Sequence, residues 1–257
     1  MNHHSVSTKA SSHSDWVVIF LFVFCLLTLG CNASVAGTFN ISPLKITLSK
    51  NSSTAVIQLK NVGDSATTIQ LQTMRRMQDG EEDKLQPTRE IIATPQIFAI
   101  KAGATQLIRV GMVTKPDQFT EAAYRLVLDE IPPPPEPGFK GLQVALKINF
   151  PIFVQPLSKS SPELEFSWVQ TPDKKIRVSI VNHGTAHAQI MRMKISDESD
   201  EKSVFFNQEK SLYILPGQSR YLEFATTDDE ITPVKNFLIK TETSTGDKVF
   251  HAKYRNP

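Results

Sequence analysis

The sequence holds only two cysteines in 257 residues, Cys25 and Cys31, and both fall in an apolar N-terminal segment. If that segment is a removed leader, the rest has no disulfide and no thiol chemistry, and a hydrophobic core alone must hold it, as its length permits. An excess of charge of one sign is also missing: 28 Lys+Arg against 26 Asp+Glu leave +2. So balanced a chain carries no basic stripe for nucleic acid or an anionic membrane surface. No nucleophile elbow, P-loop or dinucleotide-binding glycine pattern occurs, so no ATP and no cofactor is expected. After residue 36 only His183, His187 and His251 remain. The first two straddle a Gly-Thr turn with no third ligand in sight, so no metal is assigned. Glu81-Glu82-Asp83 sits in a charged stretch, Gln78 to Lys84, that reads as a solvated loop. Without a catalytic constellation, the chain is not expected to be an enzyme. Sustained helical periodicity with caps is absent too, which argues against a helical fold.

What is present at the N-terminus is Val17 to Leu29 (VVIFLFVFCLLTL), an uninterrupted apolar run of signal-peptide length. Ser34-Val35-Ala36 supplies small residues at the −3 and −1 positions, so cleavage is expected before Gly37. Residues 1–36 carry one cation (Lys9) and one acid (Asp15), so their loss leaves the net charge at +2. Lipoprotein processing at Cys31 is the alternative, although Thr28 stands where a Leu is usual.

From Thr38 onward, short runs rich in Val, Ile, Thr and Phe alternate with turn signals, and 16 prolines punctuate them. Phe39 to Leu48 is a first strand in which Pro43 marks an edge or a switch between sheets. Ala55 to Lys60, Thr67 to Met74, Ile91 to Ile100, Gln106 to Met112, Tyr124 to Ile131 and a long Gly141 to Gln155 follow. The Pro- and Ser-rich Gln155 to Pro162 reads as a linker. The pattern then restarts with Lys175 to Asn182 and Ala188 to Ile195. The halves echo each other: QLKNVGDSATTIQL with a later IKAGATQLIRV, then SIVNHGTAHAQI with a later ILPGQSRYLEF. The expected architecture is all-β, two tandem immunoglobulin-like β-sandwiches over residues 37–156 and 157–257.

The segment Arg125 to Pro156 (RLVLDEIPPPPEPGFKGLQVALKINFPIFVQP) runs a strand into a proline-rich loop and out along a long strand. Leu142, Val144, Leu146, Ile148 and Phe150 share one parity; Gln143, Ala145, Lys147 and Asn149 share the other. An ordinary half-buried strand has this pattern. The row is longer than a typical strand, however, so part of it can extend past its own core toward a partner.

In these pieces the sequence resembles the PapD-like periplasmic pilus chaperones. The likeness is carried by ISPLKITL, QLKNVGDS, ATPQIFAIKAGATQLIRV, YRLVLDEIPP, GLQVALKINFPIFVQP, VNHGTAHA and ILPGQSR, in that order along the chain. The missing cysteines and the FPIFVQP ending look more like the archaic branch, which includes Csu-type systems. The resemblance implies a boomerang of two domains around a cleft. It also implies donor-strand complementation, in which a strand of the chaperone fills the groove of an incomplete pilus or fimbrial subunit, without ATP, before transfer to an outer-membrane usher. Subunit-binding residues would be Leu142, Val144, Leu146 and Ile148 along the strand. The family's pair of carboxylate-anchoring cations maps to Lys45 and to Pro151, so Arg125 and Lys147 become candidates for the second. Glu130 matches the acid that ties the domains together, but its Arg partner falls at Gln155. A structural or adhesive surface protein of immunoglobulin-like modules is the rival reading.

Overall fold

The computed structural model of the chain describes residues 39–79, 82–134, 144–226, 234 and 236–255. Among them every regular element is a strand. The first ten are β1 (Phe39–Ser42), β2 (Ile46–Leu48), β3 (Thr54–Asn61), β4 (Thr67–Asp79), β5 (Glu82–Pro87), β6 (Ile91–Thr94), β7 (Ile97–Ile100), β8 (Thr105–Met112), β9 (Ala122–Ile131) and β10 (Lys147–Val154). They form two sheets, ordered β1-β3-β8-β6 and β2-β10-β9-β4-β5, with β7 also paired to β4. Pro43 lies between β1 and β2, which belong to opposite sheets, so the switch expected there is present.

The alternation of side chains explains the layering. In β3, Ile57 and Leu59 are buried while Val56, Gln58 and Lys60 face outward. Ile108 and Val110 of β8 and Ile91 and Ala93 of β6 join them, and Leu126, Leu128, Phe150 and Ile152 meet them from the second sheet. Each of the large side chains contributes about 1.5–3 kcal/mol by leaving water.

The second sandwich contains β11 (Leu164–Gln170), β12 (Lys175–Asn182), β13 (Ala188–Asp197), β14 (Val204–Gln208), β15 (Leu212–Ile214), β16 (Ser219–Ala225), β17 (Asn236–Thr243) and β18 (Gly246–Tyr254). Pairing is continuous in the order β14-β13-β17-β18-β11-β12-β16, with β15 on β13. The β18–β11 contact is parallel and short, Ser167 to Lys253 and Trp168 to Tyr254. The sheet folds back there, so that its ends meet: Phe206 of β14 lies against Phe224 of β16 at 5.3 Å, and Trp168 packs on Phe237 at 4.8 Å.

The echo in the sequence is a repeated piece of geometry. Asn61, at the end of β3, donates to the carbonyls of Ser65 (2.7 Å) and Ile100 (3.2 Å) and accepts from Gly63 N–H. Asn182, at the end of β12, donates to the carbonyls of Ala186 (2.8 Å) and Ile214 (3.1 Å) and accepts from Gly184 N–H. Both asparagines are buried. Each ties its own turn to the strand that precedes a glycine of positive φ, Gly103 or Gly217.

Two local expectations need correction. Gln78 to Lys84 is not a solvated loop: β4 continues to Asp79, β5 begins at Glu82, and Asp83 is ion-paired. The charged residues are held because Arg76 and Gln78 are buried against the second sandwich. The long strand expected from Gly141 is regular only from Lys147. Leu142 lies outside the described residues.

Candidate functional site

β10 carries the exposed row. On one side it pairs with β9 along its whole length, from Lys147 with Asp129 to Val154 with Ala122. On the other side β2 reaches only Ile152, Phe153 and Val154, in parallel register. Lys147 to Pro151 therefore present an edge with no neighbouring strand among the described residues. The core-side row empties as it leaves the sandwich. Phe150 is 2% exposed, Ile148 and Leu146 are half-buried, and Val144 is 59% exposed. Leu146 is anchored to β9 at both backbone groups: its carbonyl accepts from Glu130 N–H (2.9 Å) and its N–H donates to Glu130 Oε2 (3.0 Å).

One row of the same sheet crosses toward the cleft. Pro151 pairs with Arg125, and one step upstream of the β2 register Lys45 stands beside Pro151. Neighbours in a ladder share a face, so Lys45, Pro151 and Arg125 point the same way, away from the core. Lys45 is exposed and makes no ion pair among the described residues. It lines a cleft of about 570 Å³ with Thr47, Glu121 and Gln155 on one wall and His187, Thr243 and Lys248 on the other. Lys147 lies 3.0 Å from Asp129.

Arg125 is not free in the same sense. It approaches Asp83 at 3.7 Å. Asp83 also accepts from Arg76 Nε (2.8 Å), from Gln78 Nε2 (3.2 Å) and from Arg220 of the second sandwich. Burial pushes the Asp83 carboxyl up, but the charge and hydrogen bond of Arg76, then Gln78 and Arg220, hold it below its ordinary value. Burial lowers the pKa of both Arg76 and Arg125, and for Arg76 the neighbouring Arg125 charge adds to the effect. The two guanidiniums lie 5.3 and 5.9 Å from the centre of the same Tyr213 ring.

The contact between sandwiches lies at the other end of β9 from Glu130. Ala123 and Phe153 pack on Leu215. Gln78 donates to the Tyr213 carbonyl (2.9 Å) and accepts from Leu215 N–H (2.9 Å). Glu121 N–H donates to the Thr185 carbonyl, and Glu121 Oε1 accepts from His187 N–H (3.0 Å) and lies 2.5 Å from His187 Nδ1. The expected interdomain role of Glu130 is thus corrected: its carboxylate serves Leu146, and it lies seven residues beyond Ala123, about 23 Å along the strand. Glu121 and Gln78 do the bridging instead, and nothing in their local sequence marked them. The Gln155 to Pro162 stretch is strapped on both sides. Leu157 and Ser158 donate to Asp117 and Gln118, and Ser161 accepts from Thr185.

Two immunoglobulin-like sandwiches in tandem, one with an open strand edge beside a shared cleft, make up the fold of PapD-like pilus chaperones. Residues 38–159 match the family model described as pili and flagellar-assembly chaperone, PapD N-terminal domain, and the first sandwich belongs to that family. Among solved structures, the chain is similar to the chaperone–tip adhesion subunit pre-assembly complex of archaic Csu pili from Acinetobacter baumannii. That match has a TM-score of 0.65 and 18% identity, over 85% of this chain and 100% of that one. It is also similar to the Salmonella enterica SafA pilin–SafB chaperone complex (TM-score 0.59, 12% identity, 86% of this chain and 98% of that one). The Pseudomonas aeruginosa CupB2 chaperone matches with a TM-score of 0.53 and 11% identity, over 82% of this chain and 98% of that one. No curated protein sequence matches the chain.

Proposed function

We propose that the protein is a periplasmic chaperone that captures pilus or fimbrial subunits by donor-strand complementation and delivers them to an outer-membrane usher. The observation that carries this reading is the open edge of β10, where Lys147 to Pro151 have no second partner strand among the described residues and the apolar row grows more exposed from Phe150 to Val144. An isolated edge of this kind invites pairing by another chain. Main-chain hydrogen bonds would give affinity without demanding one partner sequence, while Ile148, Leu146, Val144 and Leu142 would enter pockets of the subunit. Lys45 would hold the subunit's terminal carboxylate at the cleft, with Arg125 or Lys147 as the second cation. The chain acts by binding, without ATP and without catalysis. Residues 1–36 serve as a removed export signal, and the two domains divide at residues 156 and 157.

The test is co-purification of subunits with Val144→Glu and Leu146→Glu variants from the periplasm. A carboxylate forced into a dry groove costs about 2–4 kcal/mol, so both variants should lose their subunits. Thermal melts check the fold. Val144 is exposed, so Val144→Glu should melt like the parent, and a folded variant with normal subunit yield would remove the edge from the mechanism.

A further inference from the structure

The core-side row of β9 ends on a carboxylate. Leu126 and Leu128 are buried members of that row, and the next residue of the same parity is Glu130, half-buried near the end of the strand. It stands beside the buried Ile69 of β4. A place next to a core leucine and an isoleucine suits an apolar side chain, and a carboxylate there needs a compensating hydrogen bond. The bond is supplied by β10. In the register that runs from Val154 with Ala122 to Lys147 with Asp129, the next rung joins Leu146 to Glu130. A regular rung of this kind exchanges two backbone bonds. Here only one is a backbone bond: Glu130 N–H donates to the Leu146 carbonyl (2.9 Å). The Leu146 N–H, which would go to the Glu130 carbonyl, donates instead to Glu130 Oε2 (3.0 Å). The side chain has taken the place of its own main chain. One rung further, β9 has no donor to offer, because the residue opposite Val144 in the continued register is Pro132, which lacks an N–H.

We infer that Glu130 is a positioning residue: its carboxylate ends the β9–β10 ladder at Leu146 and fixes the point from which the apolar row leaves its own sandwich. From Lys147 onward β10 is held by β9, whereas Val144, two residues before Leu146, is exposed. An acceptor on a side chain can follow an N–H that is leaving the ladder, while a main-chain carbonyl is fixed by its own strand. An ionised acceptor also holds a backbone N–H more strongly than a neutral one. A segment secured in this way loses less freedom when another strand pairs with it, so less of the pairing energy is spent on ordering. The hold on Leu146 does not depend on the chaperone reading. The chain that pairs with the presented row does: that it is a pilin-like subunit rests on that reading.

The experiment compares the parent chain with Glu130→Ala, Glu130→Gln and Glu130→Asp. Hydrogen exchange of the Leu146 amide is followed by NMR, and capture is scored by co-purification of a tagged pilin-like subunit co-expressed in the periplasm. Glu130→Gln keeps an oxygen acceptor at the same reach and should stay close to the parent in both. Glu130→Asp keeps the charge but has a shorter side chain, and Glu130→Ala has no acceptor. In these two the Leu146 amide should exchange roughly tenfold faster, with the Leu126 and Leu128 amides unchanged, and the yield of complex should fall several-fold. Should Glu130→Ala fail to fold, Glu130→Asp carries the comparison with Glu130→Gln. Unchanged exchange at Leu146 in the folded variants overturns the inference. Loss of protection that spreads to Leu126 and Leu128 overturns it too, since Glu130 would then be holding the fold and not the strand. Faster exchange at Leu146 with normal capture removes the positioning role and leaves the chaperone reading standing. A parent chain that captures no subunit removes that reading, while the hold on Leu146 still stands or falls on exchange alone.

Discussion

Phe153 and His187 lie face to face, ring centres 3.6 Å apart and planes 7° from parallel, although one belongs to each sandwich. The stack fixes the imidazole so that its Nδ1 meets Glu121, whose carboxylate is almost fully buried. His187→Ala should remove the stack and leave the Glu121 carboxylate short of a partner. The expected loss is about 2 kcal/mol. For a chain of this size that is a fall of about 4–8 °C in the thermal midpoint. Calorimetry decides it, and a midpoint within a degree of the parent would mean that the stack holds nothing.

Gly184 has no room for a side chain. A Cβ there would stand 2.3 Å from the Ser161 carbonyl oxygen and 2.5 Å from Glu163 N, both backbone atoms. Gly184→Ala should therefore push the Ser161–Glu163 segment off the Asn182 turn, destabilising the protein by about 3 kcal/mol. Urea unfolding measures the loss. Gly103→Ala is an informative contrast, because the space around that glycine is open but its φ is +71°, so strain and not crowding would set its smaller effect.

Acid should weaken the fold through Asp83 and Glu90. Glu90 is held below its ordinary 4.5 chiefly by the Tyr124 hydroxyl; burial opposes this, and the charge and hydrogen bond of Arg75 add to the lowering. Asp83 is held below its ordinary 3.8 by its arginines. Groups depressed in the folded state stabilise it at neutral pH, and that contribution is lost as pH falls through the folded values, below about 4. Asp83→Asn should be less stable than the parent at pH 7, and the gap should narrow as pH falls below about 4. Urea midpoints measured from pH 7 into acid test this; a gap that does not narrow as the parent is titrated to its acid unfolding would show that the Asp83 charge is not what stabilises.

Two lysines near the open edge should behave differently. Lys147 forms an exposed pair with Asp129, which is worth about 0–1 kcal/mol, so Lys147→Ala should hardly change the melt. Lys45 has no such partner among the described residues and faces the cleft. Lys45→Ala should leave stability within about 0.5 kcal/mol of the parent while weakening subunit capture by about 2–3 kcal/mol. Subunit yield from the periplasm, with melts as a control, separates the two. Normal capture by Lys45→Ala would remove Lys45 as the anchor.

The sandwiches were readable from the sequence because each buries one parity of each strand. Ile57 and Leu59, or Val178 and Ile180, announce a core face by period alone, and the Asn61 and Asn182 turns announced the duplication. What could not be read is the burial that depends on the other sandwich. Arg76 and Gln78 look like solvent-facing residues of a charged strand, yet they lie on the face opposite Ile69 and Leu71 and are buried because a second sandwich stands there. Glu121 precedes its strand with no periodic cue at all. Glu130 was assigned by likeness to a motif, and a motif does not say which end of a strand meets the neighbour. The Lys45–Pro151–Arg125 row is a matter of register between strands, with Lys45 more than a hundred residues from Pro151 in sequence, which no local pattern encodes.

Pro151 gives the open edge a direction. Glu130 N–H bonds the Leu146 carbonyl, and in an antiparallel pair such bonds recur at every second residue, so Leu146, Ile148, Phe150 and Ile152 turn their backbone groups toward β9. Lys147, Asn149 and Pro151 turn theirs toward the open side. The first two offer a donor and an acceptor each; the third, being an imino acid, offers an acceptor alone. A strand joining this edge can lengthen its ladder freely toward Lys147 but loses a rung at Pro151, where β2 begins to close the edge. The proline is a bolt at one end of the track, and any visiting strand has to stop against it.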